Sequence, residues 1–264
     1  MIKRLFLGLA GVVVIVVLAD VVSNTYKSNP ELIAKNLKKE IEATQINQFK
    51  TYQDWLWQLD RTFVFDVIYM NIFSPGTAKM HVAGETNLNN TPVYIMEATV
   101  ELSTFLKKMY DAKMVISDAV AKDTKIPLWY REESYTPENN KSKEIVFDPQ
   151  AHIAAREGIK FKIPPYTHDP LSAFFNLLDK NYVLGETITL NLLTKEEVYA
   201  FNVTPVELKN NIYKLNGEVH RSDKSSAHGA KFTLWVRNGK VRVPLMIKVV
   251  SAGGPIYLRL KAIK

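Results

Sequence analysis

FTLWVRNGKVRVPLMIKVVSAGGPIYLRLKAI, residues 232–263, decides the fold class. Two apolar runs, 232–236 and 241–245, flank Arg237-Asn238-Gly239-Lys240, and an Asn-Gly pair between such runs is the strongest short-range hairpin signal. A third run at 246–250, the turn Gly253-Gly254-Pro255 and a last run at 256–263 extend this into a meander. Upstream, 187–193, 197–203 and 212–220 repeat the same pattern of short β-rich runs bounded by turn residues.

The period is strand-like from Arg61 onward. Phe63, Phe65, Val67 and Tyr69 alternate, Ser74-Pro75-Gly76 reads as a turn, and 77–82, 93–100 and 144–147 are further strand candidates. The stretch 105–117 fits a short helix or a strand entry. One internal helix stands out. Asp169 caps it, Pro170 takes its first position, and Leu171, Phe174, Phe175 and Leu178 share a face. Between nine and eleven strands with no βαβ alternation predict a mainly β domain, a curved antiparallel sheet or half-open barrel that hides its edges.

Ahead of it lie an anchor and a stalk. Lys3 and Arg4 precede an uninterrupted apolar run, Leu5 to Ala19, that continues through Asp20 to Val21 and Val22, eighteen residues in all, or roughly 27 Å of helix against a hydrocarbon core of about 30 Å. The positive flank keeps the N-terminus cytoplasmic and sends the rest across. The rival reading is a cleaved signal peptide with Val17-Leu18-Ala19 at the cleavage site. The valine-rich length of the run favours the uncleaved anchor. Asn29-Pro30-Glu31 then opens a stalk helix with Leu32, Ile33, Leu37 and Ile41 at helical spacing. Trp55 and Trp57 follow, placed to pack the stalk onto the domain. The expected organisation is 1–22 anchor, 23–60 stalk and linker, and 61–264 a β-rich domain. The place is the inner membrane, single-pass, with the bulk of the chain in the periplasm.

Composition narrows the function. There are no cysteines, so disulfides, thiolate metal sites, a cysteine nucleophile and a lipoprotein anchor are excluded. The net charge of +7 is concentrated in 205–264, where twelve Lys and Arg stand against three Asp and Glu. A basic segment suits an anionic partner such as a membrane surface or an acidic glycolipid, or is a solvated sheet face. Export argues against nucleic acid. No phosphate loop, dinucleotide fingerprint or nucleophile elbow appears, and the five histidines (His81, His152, His168, His220, His228) form no metal-ligand spacing. Glu132-Glu133 and Glu196-Glu197 adjoin in sequence only, and neighbours on a strand point to opposite faces. No catalytic residue, metal or cofactor is expected, and the chain reads as a non-enzyme.

Several stretches together resemble a bacterial envelope family, the domain of unknown function 3108. They are Phe65-Asp66-Val67-Ile68-Tyr69 with Ser74-Pro75-Gly76-Thr77-Ala78, then Phe147-Asp148, then His168-Asp169-Pro170-Leu171-Ser172-Ala173-Phe174-Phe175, and finally Val243-Pro244-Leu245 with Gly254-Pro255-Ile256-Tyr257-Leu258. The resemblance runs from Phe63 to the C-terminus. It implies an exported protein with a curved antiparallel sheet, similar in outline to periplasmic lipoprotein carriers, and implies no activity. The long anchor and stalk depart from the cleavable signal usual in that family.

Two functions are expected of such a chain. The first is a binding module in which sheet and helix enclose a lipid or other apolar ligand, with Trp129, Tyr130, Leu171, Phe174, Phe175 and Trp235 as lining candidates. The second is an envelope scaffold that binds another protein and no ligand.

Overall fold

The computed structural model describes residues 29–45, 56–57, 61–70, 73–108, 111–194, 197–221, 230–239, 242–251 and 254–264. The apolar run at 5–22, its charged flank, the Val17-Leu18-Ala19 site and Trp55 lie outside these. Among the described residues no helix is long and apolar enough to cross a membrane.

The domain is one sheet of fifteen strands, more than the nine to eleven expected. The first eight are β1 (Thr62–Tyr69), β2 (Phe73–Leu88), β3 (Thr91–Leu102), β4 (Lys113–Ala121), β5 (Pro127–Tyr135), β6 (Asn140–Asp148), β7 (Ile153–Arg156) and β8 (Ile159–Lys162). After the two-residue β9 (Thr167–His168) come β10 (Ile188–Thr194), β11 (Glu197–Lys209), β12 (Ile212–Arg221), β13 (Ala230–Arg237), β14 (Val243–Ser251) and β15 (Gly254–Ile263). The spatial order is β8 through β1, then β15 down to β9. Every pairing is antiparallel except β9 with β10.

That order forces curvature. Fifteen strands laid flat would span roughly 65–70 Å at about 4.8 Å per spacing. Yet the two edge strands, β8 and β9, are separated by only residues 163–166, whose reach is at most about 18 Å. The sheet therefore curls until its edges nearly meet. The connecting loop bridges the seam: the Ile163 amide donates to the His152 carbonyl at 2.9 Å, and Asn191 Nδ2 on β10 donates to the Pro165 carbonyl at 2.9 Å.

Three two-residue hairpins carry both central residues at positive φ: Asn89-Asn90, Glu157-Gly158 and Asn210-Asn211. Asparagine tolerates the left-handed region, so Asn-Asn serves as the twist-matched turn. The Asn238-Gly239 signal marks a different geometry. Arg237 pairs with Val243, so the connection runs over 238–242 and is not a two-residue turn. The expected turn Ser74-Pro75-Gly76 lies inside β2. Gly76 is there because a Cβ would sit 2.1 Å from the Glu101 carbonyl oxygen of β3. The separate runs at 241–245 and 246–250 are one strand, β14.

The stalk segment is two helices, α1 (Pro30–Asn36) and α2 (Lys38–Gln45), and neither projects freely. Both pack on β15 and α1 also on β14, with Ile33, Leu37 and Ile41 buried in the domain's core. Met246 points away from Leu245 and Ile247 and is still only 2% exposed, which places the helix pair across the outer face of the sheet. The ambiguous 105–117 resolves into a short helix, α3 (Thr104–Lys107), followed by β4. The one long internal helix is α4 (Pro170–Asp179).

Candidate functional site

Antiparallel order sorts the hairpin loops onto two ends of the curled sheet. The β2–β3, β4–β5, β11–β12 and β13–β14 connections share one end. The β3–β4, β5–β6, β10–β11 and β12–β13 connections share the other.

The first end is plugged by α4. Pro170 through Leu178 are all buried, the polar Ser172 and Asn176 included. A buried helix needs its end groups satisfied internally. Asp169 accepts from the Leu171 and Ser172 amides (2.8 and 3.2 Å) and from Ser172 Oγ (2.5 Å). At the other terminus Tyr182 Oη donates to the Leu177 carbonyl and Arg242 to the Leu178 carbonyl. Trp57 wedges between Tyr94 and Phe175, with ring centroids at 5.4 and 5.7 Å. Lys125 lies over Trp57 and Tyr94, and Asn176 Nδ2 donates to the Lys125 carbonyl.

From the helix N-terminus a polar stripe climbs the inner wall toward the second end. Residues directly opposite on neighbouring strands share a face, and the register pairs Asp118 with Tyr130, Ile116 with Glu132 and Met114 with Ser134, with Lys143 and Lys141 alongside on β6. Tyr130 Oη donates to Glu132 Oε2 at 2.8 Å. Asp118 is fully buried, and no donor among the described residues reaches either of its oxygens. Burial, and then the charge of Asp169 beside it, hold its carboxyl protonated well above the usual range. Burial, then Glu132 and Asp169, also raise the Tyr130 phenol. On β9, His168 faces inward with Leu192, and burial depresses its imidazole to about 4.

The opposite wall at the second end is aromatic. Tyr199, Phe201 and Phe232 face inward on β11 and β13, as their pairing with Leu192, Val219 and Val249 fixes. Phe201 and Phe232 stack at 5.1 Å and 9°. Phe232 covers Gly217, where a Cβ would lie 1.9 Å from the ring. Tyr199 Oη donates to Glu197, which also pairs with Arg221 at 3.0 Å. Tyr199, Phe201, Phe232, Glu132, Ser134 and Lys143 all point inside the curled sheet, yet each is only half-buried. Solvent therefore reaches these side chains, and among the described residues no helix fills this end, the open one, as α4 fills the first.

The six lining candidates divide. Tyr130, Leu171, Phe174 and Phe175 lie in the interior, where the helix face and the sheet are one continuous core. Trp129 pairs with Ala119 and the exposed Val146 on the outer face, and Trp235 pairs with Met246 under α1 and α2. Much of the C-terminal basic segment also faces outward: Lys248 lies over Tyr257, and Arg259 and Lys261 pair with Asp66. From the sequence neither Asp118 nor Phe201 is a candidate, and Glu132 is set aside as one of an adjacent pair of carboxylates. Met114-x-Ile116-x-Asp118-x-Val120 carried a signal, an acid within an apolar alternating row. Among the described residues no group of three or more His, Asp or Glu is placed to hold a metal ion.

The curled sheet is similar to that of a β-barrel-like protein of the domain of unknown function DUF1849 from Brucella abortus, at 8% identity and a TM-score of 0.52, over 77% of this chain and 96% of that one. A looser likeness, TM-score 0.37 at 11% identity over 61% and 86% of the two chains, links it to a DUF1089 family protein from Pseudomonas aeruginosa. No curated protein matches the chain. Residues 64–261, from β1 to β15, match the family model described as "Protein of unknown function (DUF3108)", and the chain belongs to that family.

Proposed function

We propose that this protein is a non-catalytic binding module of the cell envelope. It is tethered in the inner membrane by residues 5–22, with its bulk in the periplasm, and it takes an apolar chain such as a lipid tail into its open end. The observation that carries the reading is the set of inward-facing but solvent-touched residues at that end. Phe201 and Phe232 offer an apolar wall, while Glu132, Ser134 and Lys143 offer polar partners across from it. Such an arrangement fits an amphiphile. Ten buried methylenes would contribute about 8 kcal/mol before the entropy of association is subtracted, enough for micromolar binding. The helix–sheet interface, by contrast, is already filled by Leu171, Phe175, Leu177 and Leu178.

A second reading, a scaffold that docks another envelope protein, draws support from Phe105 (69% exposed), Met70, Tyr135 and Val250, exposed apolar side chains on the open rim.

Mass spectrometry of lipid extracted from gently purified protein decides between them. The double variant Phe201→Glu with Phe232→Glu should keep the fold and lose at least tenfold in affinity for a fluorescent fatty acid, a change of about 1.4 kcal/mol or more. Equal binding by parent and variant, or no lipid in either, removes the open end as the site and leaves the scaffold.

A further inference from the structure

The plugged end carries its own apolar surface. Val183 and Leu184 (50% and 53% exposed) lie beside Val206 and Leu208 (45% and 42%), because the Gly185 amide donates to the Pro205 carbonyl at 2.8 Å. Leu32 (46%) joins them, since Asn210 Nδ2 at the β11–β12 turn donates to Glu31 Oε1 at 2.9 Å and so pins the start of α1 there. Basic and acidic groups both border the patch: Lys35, Lys180, Lys209, Arg237, which donates to the Asn210 carbonyl, and Arg242, which donates to Asn181, against Glu31, Glu186 and Glu207, so charge alone does not select its partner.

Chain length does. Asn29 begins α1 at this end, and Val22 closes the apolar run seven residues earlier. Fully extended, that stretch reaches at most about 25 Å. β11 alone has thirteen residues, about 40 Å of strand, which at an ordinary barrel tilt of about 40° is a height of roughly 30 Å. A tether that short, starting beside Asn210, holds the plugged end against the membrane and cannot turn the open end toward it.

We infer that the patch formed by Leu32, Val183, Leu184, Val206 and Leu208 is a docking surface for the lipid bilayer, seated in the interface like the apolar face of a peripheral protein, so that the open end points away from the membrane that holds the chain. The inference rests on the tethered reading above. It adds an orientation: the open end would exchange its ligand with something facing it across the periplasm.

The absence of cysteine makes the test direct. The full chain carrying Leu184→Cys, or Phe105→Cys on the open rim, is labelled with an environment-sensitive fluorophore and reconstituted into vesicles of phosphatidylcholine and phosphatidylglycerol. Both positions are exposed, and far-ultraviolet circular dichroism confirms the fold of each variant. The label at 184 should shift to the blue and be quenched by a lipid-borne nitroxide, while the label at 105 stays aqueous. A label at 105 that enters the lipid, or two labels that both stay in water, overturns the docking. If the chain resists a high-salt wash while the 184 label stays in water, the tether stands and the docking falls. If the 184 label responds but the wash releases the chain, the docking stands and the tether falls.

Discussion

The two ends of the curled sheet are built from the same kind of strand and finished in opposite ways. At the plugged end the interior is packed: α4 lies inside with both termini capped, and Trp57, Tyr94 and Lys125 stack beside it. At the open end the inward positions are only half-buried. Phe201 and Phe232 stack on one wall, while on the other Tyr130 donates to Glu132 and Lys143 lies over the Tyr130 ring. A closed sheet of this size has more interior than its strands can fill. Among the described residues α4 is the helix that fills the interior, and it does so at the plugged end.

The sharpest way to break that comparison is to truncate one ring at each end. Phe175→Ala should destabilise the domain by about 3–5 kcal/mol, the usual effect of removing a fully buried phenylalanine. Phe201→Ala should cost well under half of that, because its ring already touches water. Chemical denaturation of the two variants measures both, and equal losses would mean that the open end is packed core.

A second effect, of about 2 kcal/mol, is expected from pH. The imidazole of His168 titrates near 4 in the fold against 6.5 unfolded, so the unfolded chain takes up the proton first as pH falls. This group's contribution is intact above pH 6.5 and is lost progressively toward pH 4. The stability gap between the parent and His168→Gln should therefore shrink by about 2 kcal/mol between pH 7 and pH 5. Asp118 acts in the opposite sense. Its raised proton affinity stabilises the fold at low pH and is lost as pH rises, so Asp118→Asn should gain on the parent at alkaline pH. Thermal melts of both variants across this range test the signs, and a gap that does not move with pH in either case would place the group outside the buried stripe.

The smallest effect is predicted at Gly217. Adding a methyl group there drives it into the Phe232 ring, whose atoms lie 1.9–2.6 Å from the new carbon. Because that ring borders the open end it has room to swing, so Gly217→Ala should cost only about 1–2 kcal/mol, at the low end of overpacking penalties. Fatty-acid binding should weaken with it. A loss above the effect of Phe175→Ala would show that Phe232 has no space to move into.

The plugged end was far more legible in the sequence than the open one. Asp169-Pro170 announced the helix cap and the apolar face of α4, and the structure adds that its other sides, with Ser172 and Asn176, are buried too, which the spacing of four apolar residues does not show. Strands were legible wherever alternation was regular. They were hidden where register gave way: β2 carries a shift between Val82 and Gly84, and its proline and glycine near Ser74 imitate a turn. The open end left little trace because Phe201 and Phe232 read as ordinary strand aromatics. Which face they occupy is set by pairing with strands whose register no local pattern reveals, and the same holds for Trp129 and Trp235, bulky residues that turned out to face away from the interior.

The pairing of β1 with β15 places Phe63 opposite Ile263, 200 positions later in the chain. β1 thus waits for a partner strand made some 200 residues after it, and the Thr62 and Lys264 backbones exchange two hydrogen bonds only once β15 has been made. Such contacts carry the entropy of closing a very long loop, so the β1–β15 pairing should be slow to form. A chain cut before Gly254 would lack β15, would leave β1 and β14 as bare edges, and should aggregate or be proteolysed.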